Sequence, residues 1–192
     1  MLSGIERSQL LGLADASIGE GLVTGTPLQV ELQNVTPHLA SPGTTFVTLR
    51  LQGQLRGCIG SLEALRPLAE DCAANAFAAA FRDPRFAPVT AAEYPLLQLH
   101  ISVLEPPRPL SVGSEAELLD RLRPGEDGLV LVEGGRRATF LPSVWEQLPD
   151  PGEFVRHLKR KAGLPGDYWS TTLQFGRYGV EEFDAASGGT AA

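Results

Sequence analysis

Thr45 to Gly60 alternates apolar and polar residues around Gln52-Gly53, and no other segment constrains the fold as tightly. The pattern reads as two antiparallel strands joined by a tight turn. Val47 and Leu49 share one face of the first strand, and Leu55, Gly57 and Ile59 share one face of the second. A two-residue turn at Gln52-Gly53 would set Val47 opposite Cys58 and Leu49 opposite Arg56, mixing the faces. A three-residue loop, Leu51-Gln52-Gly53, with Gly53 in the left-handed position, pairs Leu49 with Leu55 and Val47 with Gly57. That register gathers Thr48, Arg56 and Cys58 on the opposite face.

Helical and strand-like patches alternate along the rest of the chain, which points to a mixed α/β or α+β class. Ser3 to about Gly19 reads as a helix with a Ser3/Glu6 capping box, ended by Gly19 and Gly21. Leu62 to Arg82 reads as an Ala-rich helix with Leu65, Leu68, Cys72, Ala76 and Ala80 in one stripe, Pro67 near its start and Pro84 stopping it. Leu96 to Leu104 alternates as a strand, with Gln98, His100 and Ser102 on its polar face. A short helix follows Ser114, and a hairpin turns at Gly134-Gly135. Asp150-Pro151-Gly152-Glu153 starts a helix that runs to about Ala162. Leu173 to Phe183 reads as one last strand, bulged at Gly176. The small-residue tail, 186–192, is expected to be disordered.

The 192 residues include 43% hydrophobic and 20% charged residues, enough apolar content for a sizeable core. No apolar run reaches the roughly 20 residues of a spanning helix, so no membrane segment is expected. Two cysteines exclude a disulfide scaffold, and with no signal peptide legible a cytoplasmic protein is the simplest expectation. A net charge of −7 argues against nonspecific nucleic-acid binding. Of the 16 basic residues only Lys159 and Lys161 are lysine, a bias of base composition rather than function.

Candidate chemistry concentrates in Leu55-Arg56-Gly57-Cys58-Ile59-Gly60. Gly57 and Gly60 remove side chains around Cys58, so another backbone or a ligand can approach. A guanidinium beside a thiol favours the reactive thiolate, and Arg56 shares the strand face of Cys58. The competing reading is an inert packed cysteine whose glycines serve packing alone. Cys72, on the apolar helix stripe, reads as plain core. His100 could serve Cys58 as a base if their strands face one cleft, or be structural or solvent-facing. In Asp83-Pro84-Arg85-Phe86, Arg85 could bind a carboxylate or phosphate, with Asp83 beside it, or the cluster is a helix stop with a local ion pair. Arg156, His157, Lys159, Arg160 and Lys161 read as a solvated basic face that complements the helix dipole, with a nucleic-acid patch over 153–162 as the alternative. No zinc spacing, phosphate-binding loop, dinucleotide fingerprint or hydrolase elbow is present, and no metal or cofactor is expected.

The hexapeptide closely resembles the signature of the AMMECR domain family, whose bacterial and archaeal members are called protein A of the AmmeMemoRadiSam system. The resemblance extends through Phe46-Val47-Thr48-Leu49, Asp83-Pro84-Arg85-Phe86, Ile101-Ser102-Val103-Leu104, Gly128-Leu129-Val130-Leu131, Ala138-Thr139-Phe140-Leu141-Pro142, Val144-Trp145 and Lys161-Ala162-Gly163-Leu164. It implies an α+β protein with a larger and a smaller subdomain, no established activity, and a pathway shared with Memo-type and radical-SAM proteins. The chain lacks the cysteine triad of a radical-SAM protein. His100 matches no family motif. Resemblance and element order together predict a larger mixed α/β subdomain, 1–44 with 95–185, and a smaller inserted hairpin–helix subdomain, 45–94. The expected function is a small-ligand or catalytic cleft around Cys58, Arg56, Arg85, Asp83, Gly57 and Gly60. A non-enzymatic protein-binding or regulatory module is the alternative, and nucleic-acid binding through the basic helix the second.

Overall fold

The computed structural model describes residues 1–185. The expected tail, 186–192, lies outside the described residues. Among those described the chain is α+β, with four α-helices and two four-stranded antiparallel sheets. It divides into two units, Met1–Leu104 with the segment from Glu181, and Glu105–Val180.

In the first unit, helix α1 (Gly4–Thr24) starts at the expected capping box and ends at Gly25 in the left-handed conformation. It runs past Gly19 and Gly21. Gly21 has a packing reason: a Cβ there would come within 2.4–2.9 Å of the Phe81 and Phe77 rings. Strands β1 (Thr44–Leu51) and β2 (Gln54–Gly60) form the hairpin, and α2 spans Leu68–Phe81 with Pro67 at its cap. Strand β3 (Leu97–Leu104) pairs with β1 along its whole length, and with β8 (Val180–Asp184) the sheet order is β2-β1-β3-β8. One face carries Val47, Leu49, Leu99 and Ile101, which are buried with Leu68, Cys72, Ala76 and Ala79 of α2. Leu10, Ala14 and Ile18 of α1 complete this core.

The hairpin register differs from expectation in an instructive way. The turn is two residues, with Gln52 and Gly53 both at positive φ (52° and 78°), the signature of a twist-matched hairpin turn. Arg50 then pairs with Leu55, but Leu49 pairs with Gly57, so Arg56 is an extra residue in a β-bulge. The bulge restores the face parity that a two-residue turn alone would break. Thr48 therefore stands opposite Cys58, on the shared face the sequence predicted, with different partners.

The second unit holds β4 (Arg108–Pro109), α3 (Glu115–Arg121), β5 (Gly128–Glu133), β6 (Arg136–Phe140), α4 (Pro151–Lys161) and β7 (Gln174–Tyr178), with sheet order β4-β7-β5-β6. Its core joins Leu129, Leu131 and Phe175 to Leu118 of α3 and Phe154 and Leu158 of α4, with Trp145 stacked on Phe154 at 3.7 Å.

Three expectations need correction. The segment 45–94 is not a separate inserted unit, because β1 is an inner strand bonded to β3 and shares its sheet with β8 (Val180–Asp184). The strand expected over Leu173–Phe183 is two strands, β7 and β8, which break at Gly179 and join different sheets. Lys159 is not part of a solvated face: its side chain is fully buried, its ammonium paired with Glu115 at 3.0 Å and 5.8 Å from the Trp169 ring. No helix among the described residues is long and apolar enough to cross a membrane.

Candidate functional site

Strand β2 is an edge strand, and its glycines answer to specific neighbours. A Cβ on Gly57 would stand 2.1 Å from the Ala79 carbonyl oxygen, so α2 rests directly on the strand there. A Cβ on Gly60 would lie 2.2 Å from the ring of its cross-strand partner Phe46. Both glycines thus admit another part of the protein.

Arg56 and Arg85 are committed differently from one another. Arg56 grips the loop after α2: Nε and Nη2 donate to the Glu93 carboxylate at 2.8 and 3.1 Å, and Nη1 donates to the Ala87 carbonyl at 2.9 Å. Its charge is not directed at Cys58. Asp83 and Arg85 instead hold the Cys58 backbone, standing in for a missing strand. The Cys58 amide donates to Asp83 Oδ2 at 2.9 Å, and Arg85 Nη2 donates to the Cys58 carbonyl at 3.2 Å. Side-chain capping of this kind satisfies an edge that would otherwise invite pairing. Arg85 also grips Asp83 through Nε and Nη2 at 3.0 and 2.7 Å, so the carboxylate it binds is its own neighbour. The Arg85 hydrogen bonds, then the amides of Cys58 and Arg85, hold the Asp83 carboxyl well below the usual carboxylate range. Asp83 first, and the adjacent Cys58 side chain in addition, hold Arg85 in its charged form.

The Glu93 clip makes a pH prediction. Arg56 first, then the Thr90 amide and hydroxyl, hold the Glu93 carboxyl down at about 2 against an ordinary 4.5. A lowered carboxyl contributes stability that is complete above 4.5 and lost as pH falls toward about 2. Glu6, held at about 2 chiefly by the Ser3 amide, acts in the same window. Glu93→Gln is expected to lower stability at neutral pH and flatten the decline between pH 4.5 and 2 in denaturant titrations. An unchanged acid limb would mean that the clip contributes nothing.

Across the sheet from β2, one row of polar side chains runs over the face away from α2. Thr48 lies directly between Cys58 on one side and His100 on the other. Its hydroxyl donates to Cys58 Sγ at 3.2 Å. With Thr48 between them, Cys58 and His100 are two strands apart, roughly 10 Å between Cα atoms, so they form no direct dyad. His100 Nδ1 instead lies 2.8 Å from Asp184 Oδ1, and Nε2 lies 3.5 Å from Ser102 Oγ. No group of three or more His, Cys, Asp or Glu side chains among the described residues could hold a metal ion. Cys72 is fully buried against the Leu10 carbonyl, and burial pushes its thiol far up.

The AMMECR1 family model matches residues 11–183. The chain belongs to this family. A relative from Thermofilum pendens is 36% identical over 179 residues, 88% of this chain and 84% of its own. One from Thermotoga maritima is 39% identical over 140 residues, 72% of this chain and 75% of its own. The crystal structure of an uncharacterized protein from Pyrococcus horikoshii superposes with a TM-score of 0.75 at 32% identity, covering 91% of this chain and 89% of that one.

Sequence reasoning missed a second polar centre behind the hexapeptide of this family member. Asp71, 1% exposed, accepts from the Thr45 amide and hydroxyl (both 2.8 Å), Ser61 (2.7 Å), Arg66 Nε (2.9 Å) and Asn75 (2.9 Å). Asn75 in turn donates to the Thr45 carbonyl at 3.0 Å. The signal was legible: Asp71 and Asn75 are one helical turn apart in an Ala-rich helix, and buried polar groups need partners.

Proposed function

We propose that this chain is a thiol-dependent small-ligand protein in which Cys58 Sγ meets an anionic ligand on the face of the first sheet. The observation that carries this reading is one of elimination. Arg56 serves Glu93, Gly57 admits α2, Gly60 admits Phe46, and Ile59 packs on the core. The Cys58 sulfur is what these structural tasks leave over. It is half-buried rather than sealed, with the Thr48 hydroxyl donating to it. Arg85, with 53% of its side chain exposed, holds the Cys58 carbonyl and supplies a guanidinium at the same residue. The resemblance to protein A of the AmmeMemoRadiSam system supports placing such a site alongside Memo-type and radical-SAM partners.

Iodoacetamide labelling with peptide mapping tests this. The thiolate sulfur displaces iodide, forming the S–C bond as the C–I bond breaks. Cys58 is expected to label in the native protein, and Cys72 only on unfolding. Arg85→Gln should slow Cys58 labelling, and so should Thr48→Val, by about fivefold, the worth of one ordinary hydrogen bond. Thr48→Ser should preserve the rate. Labelling of both cysteines only after denaturation would return Cys58 to packing and remove the thiol from the function.

A further inference from the structure

The second unit holds a cavity of about 430 Å³ along β4, β5 and β7, its wall including Leu110 and Phe175 of the α4 core. That volume falls within the range of small-molecule sites, about 300–1,000 Å³. The strand register shows that its two ends differ. Gln174, Val132 and Arg137 stand side by side across β7, β5 and β6, a row with polar flanks. The next row, about 6.7 Å along the strands, is Pro109, Gly176, Val130 and Thr139, and its three members on the cavity wall, Pro109, Gly176 and Val130, are apolar. Gly176 keeps that end open, since a Cβ there would stand 3.1 Å from Pro107 Cβ and 3.9 Å from Val130 Cβ, both on the cavity wall.

We infer that this cavity binds a small amphipathic anion, an acyl or aryl body with one carboxylate-type head. The apolar row takes the body, and the Arg137 end takes the head. Arg137 is engaged within the protein, but a guanidinium carries five donors in a planar fork and can share them with a carboxylate. The Gln174 amide at the same end supplies neutral donors and an acceptor. No wall residue belongs to the hexapeptide, so this site stands or falls independently of Cys58.

The test is a fluorescence titration with 8-anilinonaphthalene-1-sulfonate, competed by decanoate, with uncharged N-phenyl-1-naphthylamine in parallel. Saturable binding displaced by decanoate is expected. Val132→Trp and Gly176→Val, which fill the cavity, should abolish it while circular dichroism and the unfolding midpoint report a folded chain. Arg137→Gln should weaken the sulfonate about tenfold, the scale of a charge-assisted hydrogen bond, and leave the uncharged probe unaffected. In the unaltered protein, decanoate should shift amide resonances at 130–132 and 174–176. Absent or non-saturable binding, binding that survives both filled variants, failure of decanoate to compete, equal loss of both probes in Arg137→Gln, or shifts confined elsewhere would each overturn the assignment.

Discussion

Gly57→Ala is expected to cost about 3 kcal/mol or more of folding stability, because overpacking against an unyielding backbone is among the large-effect mutations. The added methyl carbon would sit 2.1 Å from the carbonyl oxygen of Ala79, and that oxygen belongs to helix backbone. No rotamer change relieves the contact; either α2 lifts or the strand retreats from β1. Gly60→Ala meets the Phe46 ring instead, a side chain that can swing, and should cost less. Gly12→Ala is the control. Gly12 lies inside α1 with nothing within 4 Å of a Cβ, so alanine there should stabilise by about 0.5–1 kcal/mol through helix propensity. Denaturant unfolding of the three variants gives the order directly. A Gly57→Ala variant as stable as Gly12→Ala would mean that α2 does not rest on the strand, and the packing explanation of this glycine would fail.

What the sequence disclosed and what it hid divide along the range of the interactions. The Ser3/Glu6 capping box and the Asp150-Pro151 helix start were legible because cap and partner lie within four residues. The shared face of Thr48 and Cys58 was legible from alternation, although the bulge at Arg56 shifted the pairings of Phe46 to Leu49 by two residues and left their parity intact. The division into units was not legible. It depends on β1 pairing with β3 and on the change of sheet at Gly179, and alternation within one strand does not name the strand beside it. Lys159 reads as solvated in a run of basic residues because its partner, Glu115, lies on a different helix. For the candidate site, the residue types were legible but their duties were not. Arg56 looked like the cation beside the thiol, but the structure gives Arg56 to Glu93 and sets Arg85 on the Cys58 carbonyl.

Asp71→Ala is expected to cost about 3–5 kcal/mol, the range for removing one partner from a buried charged network. Its two oxygens accept five hydrogen bonds, and deleting them leaves the Thr45 amide without its acceptor inside the protein and removes one acceptor each from the Thr45 hydroxyl and the Asn75 amide group, which keeps the Thr45 carbonyl. Asp71→Asn gives little relief. One oxygen becomes a donor, and on either side it would face at least two donors: Ser61 and Arg66 at Oδ1, or Thr45 and Asn75 at Oδ2. Because Asn75 shares these partners, Asn75→Ala combined with Asp71→Ala should cost less than the two separate losses together, a coupling that unfolding curves of the four proteins would read. The network also reaches the hexapeptide: Ser61 follows Gly60, and its amide donates to the Thr45 carbonyl at 3.0 Å. Cys72 neighbours Asp71 on α2 and is sealed in the core. Loss of Asp71 should therefore loosen α2 and let Cys72 react with iodoacetamide under native conditions, which the unaltered protein forbids. If Cys72 stays inert and stability falls by less than about 1 kcal/mol, the scale of a single ordinary hydrogen bond, then the helix is held by its apolar stripe alone and the polar centre behind the hexapeptide is dispensable.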